Sequence, residues 1–198
     1  MTHVTRTASL TRLFAAAALA SAFATSAFAA PATYGVEPNH TYANFSYSHM
    51  GLSTQISKFS KTSGTVVYDK AAKTGSVDVT IDMKSVDTGS NLFNGHIQGA
   101  DFLDTEKFPT ATFKSTKVVF DGDAPSSIEG NLTIKGVTKP VVLKVNHFAN
   151  MAHPMMKKDA IGANASTQIK RSDFGAGKYA PLVGDEVTIT ISLEAIQQ

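Results

Sequence analysis

Imidazole is the most versatile chemical group in this 198-residue chain, which has six histidines and no cysteine. His40, His49, His96, His147 and His153 invite a metal reading, because imidazole is a common ligand. None forms the short His-x-His or His-Glu-x-x-His spacing that brings two ligands to one centre, and no thiolate exists to complete a zinc or iron–sulfur set. No metal is therefore expected. Nucleophilic catalysis finds little footing either: there is no Gly-x-Ser-x-Gly elbow and no thiol. The acidic residues fall mostly at alternating strand positions that face solvent. No glycine-rich loop joins a strand to a helix in the manner of a phosphate cradle, so no cofactor is expected.

Large flat apolar groups are plentiful, with 12 Phe and 5 Tyr but no Trp. Phe45, Tyr47 and His49 share one face of an alternating segment, and Phe59, Phe102, Phe108, Phe113 and Phe174 join them as candidates to line an apolar cavity. Phe93 and His96, at helical spacing, complete this set at its rim. Ordinary core packing would use the same aromatics, and the two readings stand side by side at this level. An imidazole among them needs its donor and acceptor satisfied, by backbone, by a carboxylate or by the polar head of a ligand.

The elements that must position these groups are strands. Val77, Val79, Ile81 and Met83 alternate with polar residues, and so do Val187, Ile189, Ile191 and Leu193. Weaker alternation runs through 41–49, 65–68, 112–120, 128–135, 140–147 and 161–169, which makes about eight strands. Turn chemistry separates them at 69–75, Asp121-Gly122-Asp123, Lys135-Gly136 and Gly175-Ala176-Gly177. Short connections favour antiparallel neighbours. Eight strands with no long helix to cover them must stack as a sandwich or close as a barrel. The exception is 90–108, where Leu92, Phe93, His96 and Ile97 predict one short helix followed by a loop that Phe108-Pro109 stops. Met151, Met155 and Met156 flank Ala152-His153-Pro154 in a loop that either rims an opening or is plain surface.

The first 29 residues read as a secretory signal: Arg6 and Arg12, an apolar run from Leu13 to Phe28, and Ala27-Phe28-Ala29 with small outer residues. That apolar run is too short to span a bilayer, and no later segment is continuously apolar for about 20 residues, so no transmembrane segment is expected in residues 30–198. The net charge of +2 resides in Arg6 and Arg12, leaving 30–198 with sixteen basic and sixteen acidic residues. Near-neutrality gives no reason to expect nucleic acid or an anionic membrane surface as partner.

The stretch from His96 to Phe113, His-Ile-Gln-Gly-Ala-Asp-Phe-Leu-Asp-Thr-Glu-Lys-Phe-Pro-Thr-Ala-Thr-Phe, resembles the hallmark of the YceI-like family of periplasmic polyisoprenoid-binding proteins. So do His40 with Phe45, His49 and Gly51, then Gly136-Val137-Thr138-Lys139-Pro140, and Arg171-Ser172-Asp173-Phe174-Gly175, in the family's order. Phe93-Asn94 stand where the family often has Arg-Asp ahead of the hallmark histidine, which implies a more apolar mouth.

The resemblance implies an all-β fold: an extended eight-stranded antiparallel lipocalin-like β-barrel over 30–198, with one short helix and loop insertion. It implies a periplasmic carrier that binds a polyisoprenoid, an isoprenoid quinone or another long-chain apolar lipid. A filled barrel acting as an adaptor, with a membrane redox partner as one candidate, is the alternative; pairing as a homodimer is open under either reading. The enzymatic alternative gives His49 or His96 an acid or base role on a bound lipid.

Overall fold

The computed structural model describes residues 1–3 and 30–198, so the signal-like segment lies outside the described residues. Among these described residues eleven strands form: β1 (Ala32–Val36), β2 (Tyr42–His49), β3 (Ser53–Phe59), β4 (Thr62–Asp69), β5 (Thr74–Asp82), β6 (Val86–Asp87), β7 (Thr110–Asp121), β8 (Ala124–Ile134), β9 (Val137–Ala152), β10 (Asp159–Lys170) and β11 (Glu186–Gln197). Helix α1 (Asn91–Ile97) lies between β6 and β7.

The ladder register reduces eleven strands to eight staves. One edge of β11 carries β1 (Val36 opposite Ala195) and then β2 (Tyr42 opposite Ser192), so β1 and β2 are one long strand interrupted at 37–41. Strands β4 and β3 pair with β1 and β2 respectively and make the second interrupted stave. Strands β5 and β6 make the third, broken by a 3₁₀ turn at Met83–Ser85. Strands β7 to β11 follow in order, each antiparallel to the last, and β11 closes on β1. The result is a closed, eight-stranded antiparallel β-barrel. Closure removes the sheet edges that an open sheet of this size would expose.

The breaks occur at neighbouring levels and are sewn by hydrogen bonds that replace the ladder. Thr41, 1% exposed, donates its hydroxyl to the Glu194 carbonyl and accepts from the Glu194 N–H, both at 3.1 Å. Asp82 N–H reaches Lys61 O at 3.0 Å, and Ser60 N–H reaches Ser85 O at 3.1 Å.

The alternation read from the sequence holds: Val187, Ile189, Ile191 and Leu193 point inward with Val77, Val79 and Ile81. Three strands carry no alternating signal. In β3 the apolar Ile56 faces out and is exposed, β1 is five residues long and contains Gly35, and β6 is two residues. Ser90 caps α1 by accepting from Phe93 N–H, and the chain leaves the helix at Gln98-Gly99. Met151 lies at the end of β9 and Met155 and Met156 lie in the loop to β10, at the barrel end opposite the β2–β3 hairpin and α1, so these methionines do not rim the mouth described next.

Candidate ligand-binding lumen

Inward side chains of the eight staves enclose a cavity of about 470 Å³ that runs the length of the barrel. Twelve-residue strands rising about 3.3 Å per residue and tilted about 40° give a barrel about 30 Å tall. Phe45, Tyr47 and His49 on β2, Phe59 on β3, Phe93 and His96 on α1, Phe102 in the following loop, Phe113 on β7 and Phe174 after β10 all face this cavity. Phe108 does not. Its ring lies against Gly136 in the β8–β9 turn, 3.0 Å from where a Cβ would sit, with Lys107 Nζ 5.3 Å from the ring centroid. The Phe108-Pro109 stop turns that ring outward before β7 begins at Thr110.

Small residues leave the space. Ala163 and Ala165 of β10 face inward where larger residues would fill the tube. Gly130 of β8, paired with Ser115, lies under the Phe113 ring, where any Cβ would collide, and so lets that ring sit close to the wall. Phe113 and Phe174 are buried in the cluster formed with Val79, Leu132, Leu143 and Ala165, so they narrow the tube at mid-height. At the far end Tyr68 meets Phe120 and Phe148 at ring distances of 6.2 and 5.2 Å. Beside them Tyr34 donates its hydroxyl to Asp159 at 2.6 Å, and Asn150 Nδ2 donates to the same carboxylate oxygen at 2.8 Å.

The mouth lies at the other end. A string of rings crosses it: Phe93 to His96 at 5.7 Å, His96 to Phe102 at 5.0 Å, and Phe102 to Tyr179 at 6.1 Å. Asn94 points back into its own loop, its Oδ1 accepting from the N–H and hydroxyl of Thr88 at 2.8 and 2.7 Å. Phe93-Asn94 thus contribute a ring and a loop bond to the mouth, and no charge. Lys135 Nζ donates to Ala100 O and Gly175 O at 3.2 and 2.9 Å. It ties three of the motif segments together: the post-helix loop, the β8–β9 turn and the 171–175 segment.

Among the described residues no carboxylate and no lysine lines the lumen, and Arg171 is its one charged side chain. The Arg171 guanidinium donates to the carbonyls of Gly184 and Lys178 at 2.8 Å, Val183 at 2.7 Å, and Ala176. Burial pulls its pKa below the ordinary value, while Asp185 and the Tyr47 phenol push the other way. Arg171 therefore builds the loop that frames one side of the mouth. Asp185 bonds the turn at the end of β10, accepting from Ser172 N–H at 2.9 Å and from Ser172 Oγ at 2.7 Å. Burial among apolar groups raises the Tyr47 pKa, with nearby Arg171 opposing, and the phenol remains a neutral polar tip at the mouth. Thr62 Oγ1, also facing the lumen, is the one buried side-chain polar atom among the described residues that has no hydrogen-bond partner.

Sequence reasoning missed Arg171, Thr62 and the alanines. Arginine stood out only within a motif, while a threonine or alanine becomes a lumen residue only through the register of its strand.

The YceI-like domain model matches residues 34–195, from β1 through the inward Ala195 of β11. The chain belongs to the YceI-like family. Protein YceI of Escherichia coli O6:H1 is 39% identical over 174 residues, covering 87% of this chain and 90% of that protein. The Salmonella arizonae YceI is 38% identical over 183 residues, covering 91% and 95%. Among solved structures, Burkholderia cenocepacia BcnA superposes on this YceI-like barrel with a TM-score of 0.67 at 30% identity, over 81% of this chain and 99% of that one. A polyisoprenoid binding domain from Saccharophagus degradans shares the fold, with a TM-score of 0.63 at 18% identity over 83% and 98%. None of the described helices is long and apolar enough to cross a membrane.

Proposed function

We propose that this YceI-like protein is an exported carrier that holds a polyisoprenoid, an isoprenoid quinone or a similar long apolar lipid in its lumen without chemically altering it. One observation carries the reading: the tube is lined almost throughout by aliphatic and aromatic groups, with polar tips gathered at the mouth. A linear hydrocarbon gains about 25 cal/mol for each Å² withdrawn from water, and an enclosed tube withdraws nearly all of it. Tyr47, His49 and His96 would meet a polar head, while Phe45, Phe59, Phe113 and Phe174 would meet the tail. Export to the periplasm rests on the signal-like first 29 residues.

The test is native mass spectrometry of the protein recovered from its producing cells, followed by organic extraction and identification of what leaves it. Stoichiometric isoprenoid is expected. An Ala163→Phe variant, which fills the tube, is expected to lose that ligand while keeping the barrel's circular-dichroism spectrum. A protein that comes out empty and also ignores added isoprenoid chains would sink the proposal.

A further inference from the structure

The apolar surface of the lumen does not stop at the mouth. Met50, Phe93, Tyr179 and Leu182 face the cavity and are exposed at the same time. Leu52 and Leu92 stand beside them at 82% and 88% exposure, and Leu182 is at 62%. These six side chains come from three separate segments, the β2–β3 hairpin, α1 and the loop before β11, yet they form one rim. Met50 N–H bonds Leu182 O at 3.1 Å, Val183 N–H bonds Tyr179 O at 2.9 Å, and the Tyr179 ring continues through Phe102 and His96 to Phe93. Lys178 places its ammonium 5.5 Å from the centre of the Tyr179 ring, a pairing of aromatic body and cationic tip that suits the headgroup level of a bilayer.

We infer that this rim is a docking surface for a lipid bilayer, inserted mouth-first so that the apolar path runs unbroken from acyl region to lumen. Continuity between rim and lumen points to a bilayer as the occupant. A bilayer matches the exposed leucines and also supplies or receives the cargo at the same opening. The inference rests on the lipid-carrier reading for its purpose, but its test does not require any cargo.

The experiment is flotation of the purified, solvent-extracted protein with phosphatidylcholine vesicles, with and without phosphatidylglycerol. The wild type is expected to float with both. The double variant Leu92→Asp/Leu182→Asp is expected to lose at least about tenfold in partition, since burial of one leucine is worth roughly that factor. Met155→Asp, which alters an equally exposed residue at the opposite end, is expected to float like the wild type. Because the chain has no Trp, Leu182→Trp supplies a single reporter whose emission shifts to the blue on vesicles. A wild type that stays in solution overturns the inference, as does a double variant that floats undiminished. So does a rim that instead holds two copies together, seen as a wild-type dimer that the double variant dissociates while neither floats. Retention of added isoprenoid, measured on the same proteins, separates the two readings. An empty lumen on a floating protein sinks the carrier, and a loaded lumen on a non-floating one sinks the docking surface.

Discussion

Thr62 shows how a single hydroxyl can report on a lumen. Its Oγ1 is buried and unbonded, and a buried polar group left without a partner costs about 1–3 kcal/mol. Thr62→Val keeps the shape and removes the cost, so the ligand-free protein is expected to gain about 1 kcal/mol, or about 2–4 °C in Tm by differential scanning calorimetry. A lower Tm would mean that the hydroxyl is already satisfied. At the far end, Tyr34 and Asp159 form a pair whose pH dependence can be signed. Burial would raise the Asp159 pKa, yet hydrogen bonds from Tyr34 and Asn150 hold it below its ordinary value. Its stabilising contribution is present above the unfolded carboxylate pKa and is lost as pH falls through the folded one. Burial first, then the Asp159 bond, pushes the Tyr34 phenol up to about 12. That contribution is complete below the unfolded tyrosine pKa of about 10 and is lost as pH rises toward the folded value. Tyr34→Phe is therefore expected to cost about 1–2 kcal/mol in urea titrations near neutral pH, with the deficit shrinking below about pH 4 and above about pH 10. A deficit independent of pH would contradict the pairing.

The interrupted staves divide the wall. Below the breaks every strand has two partners, but β2, β3 and β6 form a three-stranded flap attached to the barrel through β2 and β11. Residues 53–57 of β3 pair only with β2, because β6 reaches only Lys58 and Phe59. Amides of β3 and β6 are expected to exchange hydrogen sooner than those at the centres of β8 to β11, as native-state exchange would record. Uniform protection around the barrel would count against a flap. This level is also where the sequence was partly legible. Period-2 alternation announced the long staves because one face is apolar and the other wet. The flap strand Ser53–Phe59 gave no such signal, since its buried Ser57 is polar and its Ile56 is exposed. The aromatic lining was readable for Phe45 and Tyr47 from strand parity. Phe108 failed because it precedes the strand, where parity has no meaning.

As a whole, the molecule is a tube about 30 Å tall, and a tube has a length to fill. Affinity for isoprenoid chains is expected to rise with each added unit until the chain spans the distance from the Tyr179 side of the mouth to the Tyr68–Phe120 end, then to level off. A titration series of chain lengths measures this. Affinity that is indifferent to chain length would place the tail outside the barrel. The barrel itself was foreseeable from eight alternating segments without a covering helix, and the family motifs chose barrel over sandwich. Open space was not foreseeable, because it depends on which side of β10 faces the lumen, and only the register between strands distant in sequence turns Ala163 and Ala165 inward.

The scarcity of polar groups along that tube also governs the heat of loading. A water entering it would meet hydrocarbon on nearly every side and forfeit partners it has in bulk, which makes the tube a poorly hydrated host. Calorimetry of a lipid entering the empty protein is then expected to register heat released near room temperature, with a negative heat-capacity change as apolar surface leaves the solvent.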